Sequence, residues 1–206
     1  MVINLTSLKV AYINLKDYPN RNATMVNMLT HYGLDFIRVE GVRHDKFDSV
    51  ASAHINAINT GADLILEDDC VPFNYRDTIE VPDDADVVFL GISTGTTHTT
   101  KPKYKKVSQE IYRLYDMTTV HAILYLTEAG RQWLRNSYDM TAKENIGFDM
   151  STAKLMPTIN AYGLNTPVWY QFDLESQTKL TLDEALLSDD YFGGGYPDYT
   201  EPITRF

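Results

Sequence analysis

Hydrophobic positions along the chain switch between two periods. Leu8 to Leu15 is a short apolar run rich in branched and aromatic residues, closed by the turn-forming Lys16 to Asn20, and predicts a buried strand. Met25, Met28, Leu29 and Tyr32 then recur at helical spacing, with Asn20 or Asn22 as candidate cap and Gly33 as stop. Phe36 to Val39 predicts a second strand. Phe47, Val50, Ala51, His54 and Ile58 share one face of a second helix that Gly61 ends, and Leu64 to Leu66 forms a strand running straight into Glu67-Asp68-Asp69.

The alternation continues with strands at Val87 to Leu90, Ile111 to Leu114 and Val120 to Leu126, separated by a polar loop from Gly91 to Lys106. Thr127 is placed to cap a helix carrying Ala129, Trp133 and Leu134. A further helix starts near Phe148-Asp149, and Pro167 to Phe172 reads as a late strand. Strands alternating with helices imply an α/β fold with a mostly parallel central sheet. Residues 1–182 read as one domain. Residues 183–206 form an acidic, aromatic, Gly-rich tail, either packed on the domain or closing over its site as a lid.

Composition narrows the class. The 206 residues carry 18 Lys and Arg against 28 Asp and Glu, a formal net charge of -10, which repels polyanions and argues against a dedicated nucleic-acid or anionic-membrane binder. The lone Cys70 excludes an internal disulfide and offers no zinc-ligand spacing. No apolar run is long enough to span a membrane, and the amino terminus has no leader pattern, so a cytoplasmic protein is expected. No phosphate-binding G-x-x-x-x-G-K-[ST] or dinucleotide G-x-G-x-x-G follows the first strand.

Chemistry concentrates at Glu67-Asp68-Asp69. In open α/β sheets ligands bind beyond the carboxyl ends of strands. Three acids there repel one another unless a cation is present, and Mg²⁺ or Mn²⁺ characteristically bridges one or two carboxylates to substrate phosphates. A solvated acidic turn is the alternative use of such a triplet.

Several patches occur in an order that resembles glycosyltransferase family 25, the group of bacterial lipooligosaccharide sugar transferases and collagen galactosyltransferases. They are Ile13-Asn14-Leu15 with Arg21, Ser49 to Asn59 around His54, Leu64 to Asp69 (LILEDD), Val87 to Gly91, His121 to Leu134, Phe148-Asp149, and Pro167 to Ser176 with Gln171. The resemblance spans residues 8–178. It implies a GT-A fold and a metal-dependent, inverting transfer of a sugar from a UDP-linked donor to a carbohydrate hydroxyl, on a bacterial surface glycan or a viral glycoprotein glycan.

On that resemblance Asp69 is the metal ligand. Glu67 and Asp68 contact ribose, sugar hydroxyls or the metal's water, and Asn14, Arg21 and His121 serve the nucleotide sugar. Asp149 is the base that takes the acceptor's proton, with Asp173 a weaker competitor. Each residue also has a plainer use: Asp149 as a helix N-terminal acid, His121 as a buried strand histidine, His54 as a core histidine, Arg21 in a salt bridge. The one basic concentration, Lys101, Lys103, Lys105 and Lys106 around Tyr104, reads as a solvated loop or as a flap meeting diphosphate or an anionic acceptor. Two other functions fit the same residues: transfer to a hydroxylated DNA base, and a non-catalytic nucleotide-sugar-binding module.

Overall fold

The computed structural model describes residues 1–43, 48–91 and 103–171. The element order is β1 (Val2–Asn4), β2 (Lys9–Asn14), α1 (Pro19–His31), β3 (Asp35–Glu40), α2 (Asp48–Asn59), β4 (Leu64–Glu67), β5 (Cys70–Pro72), β6 (Thr78–Glu80) and β7 (Val87–Phe89). It continues with β8 (Lys103–Lys106), β9 (Ile111–Asp116), β10 (Ala122–Tyr125), α3 (Glu128–Glu144), α4 (Phe148–Leu155), β11 (Ala161–Leu164) and β12 (Trp169–Gln171).

The periodic segments form where the pattern places them. Gly33 (φ 65°) and Gly61 (φ 79°) end α1 and α2 in the left-handed region that favours glycine. Thr127 caps α3 by accepting Gly130 N–H at 3.2 Å. The start of α1 differs from expectation: Pro19 occupies the first turn and neither Asn20 nor Asn22 caps it. Part of the expected polar loop is strand β8, and β1, β5, β6 and β11 were hidden because three- or four-residue strands carry too little period to read.

Eight strands form the central sheet in the order β3-β2-β4-β10-β7-β11-β9-β8. The expected mostly parallel sheet is corrected here: β2–β3, β2–β4 and β7–β11 run parallel, whereas β4–β10, β10–β7, β11–β9 and β9–β8 run antiparallel. The architecture is a mixed α/β sheet flanked by helices. The physical reason for the error is that burial pattern reports how covered a strand is, not its direction; β10 enters antiparallel between β4 and β7 yet is as apolar as they are.

Alternation of side chains sorts the core onto two faces. Ile65, Phe89, Ile123 and Tyr112 pack beneath α2, α3 and α4 with Ala51, Trp133 and Phe148. Leu66, Val88, Leu90 and Leu124 pack on the other face with Met25, Met28 and Leu29 of α1 and Trp169 of β12. Strands β5 and β12 pair as a separate ribbon. Val168 and Trp169 donate backbone N–H bonds to Leu90 O, which ties this ribbon to the end of β7. Among the described residues no helix is long and apolar enough to cross a membrane.

Candidate functional site

The site lies where β2, β4 and β7 end and β10 begins. Asn14 is the last residue of β2, and Ile13 beside it pairs with Glu67 at the end of β4. Glu67 N–H donates to His121 O at 2.8 Å, which places His121 opposite Glu67 just before β10. Gly91 follows β7 against the His121 ring. One sheet edge thus collects residues from four segments, Asn14 and His121 being more than a hundred positions apart in the chain.

Strand alternation sends the three acids of the triplet to different partners. Glu67 faces the α2 side, where His54 Nε2 sits 3.2 Å from Glu67 Oε1. His54 is fully buried and its ring packs on Phe148 at 5.1 Å, so the same imidazole touches the residue that precedes Asp149. Burial pushes the Glu67 carboxyl up, but the hydrogen bond and charge of His54 outweigh it and hold Glu67 below its ordinary range. Asp68 faces the α1 side. Its carboxylate accepts Asn14 Nδ2 at 2.7 Å and Arg21 Nη1 at 2.9 Å, and Arg38 Nε donates to Asn14 Oδ1 at 3.0 Å. Burial raises its pKa against the pull of Asn14 and Arg21.

Asp69 is different. It is buried, its Oδ2 accepts Gln171 Nε2 at 3.0 Å, and its Oδ1 is buried with no hydrogen-bond partner among the described residues. Burial first, and then the charge of Glu67, raise its pKa to about 7. A buried carboxylate with one bare oxygen is unfavourable unless something positive or a donor meets it. An oxygen-ligated divalent cation fits that atom and that charge. Among the described residues no group of three or more His, Cys, Asp and Glu is arranged to hold a metal ion. The described residues thus offer a cation one carboxylate, and the rest of its shell would come from water or from a ligand's oxygens.

His121 is buried and its Nδ1 lies 2.7 Å from Thr119 Oγ1. Burial lowers its pKa to about 4, so the ring is neutral at pH 7. Its Nε2 has no hydrogen-bond partner among the described residues and lies 1.8 Å from where a Cβ on residue 91 would stand. Only glycine at 91 admits the ring.

Asp149 sits in the first turn of α4, where Oδ1 accepts Met150 N–H at 2.8 Å. Burial raises its pKa, and the nearby charge of Glu67 adds to the rise. A carboxylate so tuned is a stronger base than one in water.

Asn14, Arg21, Glu67, Asp68, Asp69, His121 and Asp149 thus gather around one edge. The geometry adds three residues: His54 is a partner of Glu67 rather than only a core filler, Gln171 holds Asp69 across 102 positions, and Gly91 houses His121. His54 and Gln171 both stand in patches of the family resemblance, but their partners are long-range and no local pattern announces them; a glycine directly after a buried strand was the visible sign of the third. Asp173, Lys101 and the tail from 183 lie outside the described residues.

No family model and no curated protein matches this chain. A solved structure described as "Crystal Structure of A197 from STIV" is similar over 82% of this chain and 87% of that one, at 16% identity and a TM-score of 0.42.

Proposed function

We propose that this chain is a metal-dependent, inverting glycosyltransferase of GT-A type that moves a sugar from a UDP-linked donor to a carbohydrate hydroxyl. The observation that carries the reading is Asp69, a buried carboxylate at the carboxyl edge of the sheet with one oxygen braced by Gln171 and the other unmet among the described residues. Bound there, Mn²⁺ or Mg²⁺ supplies positive charge where the β-phosphate of the departing UDP becomes more negative.

The chain's own residues divide the remaining work. Gln171 holds Asp69 through Oδ2, so Oδ1 is the atom that would meet a cation. Asn14 and Arg21 clamp Asp68, which rigidifies the junction of β4 with the turn that carries Asp69. His54 holds Glu67 in place for ribose or sugar hydroxyls. Asp149 takes the proton from the acceptor hydroxyl through the oxygen not bound to Met150 N–H. The acceptor oxygen then forms the new bond to the anomeric carbon from the face opposite the departing phosphate, and the configuration inverts.

The test is release of UDP from a panel of UDP-sugars with Mn²⁺ and candidate glycan acceptors. The wild type releases UDP from at least one donor, and Asp149→Asn keeps nucleotide binding while transfer falls by roughly 10²–10⁴-fold, the contribution of a positioned base. A wild type that consumes no UDP-sugar overturns the reading.

A further inference from the structure

Strand β8 forms one outer edge of the central sheet and reads Lys103-Tyr104-Lys105-Lys106, with all four residues exposed. This is a concentration of positive charge on a chain of net charge -10. Lys103 stands opposite Asp116 on β9, whereas Lys105 has no ion-pair partner among the described residues. Lysines on an edge strand guard against pairing with a second sheet, and any charge does that. What such a guard does not require is the arrangement next to it. Lys105 stands directly opposite Arg113 on β9, a like-charge cross-strand pair that is destabilising by itself.

Among the described residues Arg113 brings no carboxylate to relieve the repulsion. Its guanidinium donates to the neutral carbonyls of Ile159 and Ala161 and to Asn160 Oδ1, and it lies 5.3 Å from the ring centres of both Tyr115 and Tyr162. Tyr104 (40%) and Tyr115 (36%) are among the few large aromatic or aliphatic side chains left exposed. On the opposite face of the hairpin Lys106 Nζ lies 5.3 Å from the Tyr112 ring. Cations interleaved with accessible tyrosines suit a ligand that is anionic and has flat, weakly polar faces, as a carboxylated or sulfated sugar chain does.

Its position joins this edge to the site. Tyr112 pairs with Lys106 and Gly163, Gly163 with Phe89, Phe89 with Ile123, and Ile123 with Ile65, two residues before Glu67. Lys106 therefore lies level with β4, the strand that leads into the carboxylates, five strand spacings away, or about 24 Å at the usual separation.

We propose that the β8–β9 edge binds an anionic carbohydrate chain whose far end reaches the carboxylate edge as the acceptor. Only the word acceptor rests on the transferase reading; the binding edge itself does not. A short cationic strip on an otherwise acidic molecule favours an oligosaccharide over a nucleic acid, whose extended phosphate backbone the remaining surface repels.

The test uses the full chain, a heparin-derived hexasaccharide as probe, an uncharged oligosaccharide of equal length and single-stranded dT oligonucleotide, with binding followed as salt is raised. The wild type binds the hexasaccharide in a salt-dependent manner and the uncharged sugar far more weakly. Lys105→Glu keeps a charge on the edge and removes the repulsion with Arg113, so its melting temperature is equal or higher while its hexasaccharide affinity falls by about tenfold or more. Absence of hexasaccharide binding by the wild type, or equal binding by Lys105→Glu, overturns the proposal. So does tighter binding of the oligonucleotide than of the sugar, which assigns the edge to nucleic acid. Melting shifts with UDP and Mn²⁺, recorded on both proteins, report on the transferase reading separately: their loss from the wild type defeats that reading without touching the sugar-binding result.

Discussion

Asp68 and Asp69 are neighbours in the chain, yet they sit in opposite electrostatic situations. On the α1 side, Asp68 is enclosed by Asn14 and Arg21, with side-chain exposure of 10% for both Asp68 and Arg21, and every charge there has its counter-charge. On the ribbon side, among the described residues, Asp69 has only the neutral amide of Gln171 on one oxygen and nothing on the other. The first is a closed structural network. The second is a buried acid with one oxygen unmet among the described residues, and on the proposed reading that oxygen is the one a cation would meet.

The two acids should therefore respond oppositely to loss of charge. Asp68→Asn removes the carboxylate partner of Arg21 in a largely buried setting, and a cost of about 3–5 kcal/mol is expected in urea unfolding. If Asp68 were merely a solvated turn residue the cost would be within about 0.5 kcal/mol. Next in size is Gly91→Ala, whose Cβ would collide with the His121 ring. We expect a loss of about 2–3 kcal/mol with displacement of the imidazole, visible in the histidine NMR signals. An unperturbed His121 signal in that variant would contradict the described packing.

Asp69→Asn has the other sign. Without metal it should stabilise the protein by about 1–2 kcal/mol at pH 8, because it removes a buried charge that lacks a full set of partners. The pH dependence follows. The folded pKa of about 7 lies above the unfolded value near 3.8, so the native state holds the extra proton between them. Stability from this group is complete at low pH and is lost as pH rises through about 7. His121 works against it: its folded pKa of about 4 lies below the ordinary 6.5, so its contribution to stability is lost as pH falls from about 6.5 towards 4. Subtracting the Asp69→Asn curve from the wild type isolates the aspartate. A difference that does not grow between pH 5 and 8 would defeat this assignment. The smallest effect is Thr127→Ala, remote from the site, which loses the α3 cap and about 1 kcal/mol with no change in ligand response.

Much of this edge was legible in the sequence because it depends on local signals. Leu64 to Leu66 is too apolar and too short to be anything but a buried strand, and three acids at its end mark a strand terminus in an α/β fold. The helical spacing around Met25, Ala51 and Trp133 likewise specified α1, α2 and α3. What could not be read is whatever depends on pairing. Cys70 to Pro72 gains strand structure only through Trp169 to Gln171, so the ribbon that supplies the Asp69 brace has no signature of its own. The Glu67 bond to His54 had the same difficulty: a histidine on the face of Phe47 and Ile58 reads as core until β4 is placed beneath α2. Direction was equally hidden, which is why β10 between β4 and β7 made the sheet mixed rather than mostly parallel.

The most direct trial is thermal unfolding of the wild type and Asp69→Asn with UDP, with Mn²⁺, and with both. At 100 times the dissociation constant a ligand that binds only the native state contributes about 2.7 kcal/mol. For a chain of this length that is a rise of about 5–10 °C in melting temperature. A rise that needs both UDP and Mn²⁺ in the wild type and is absent from Asp69→Asn is the result expected of a metal–diphosphate site at Asp69. An equal rise in the variant, or none in the wild type, would contradict it.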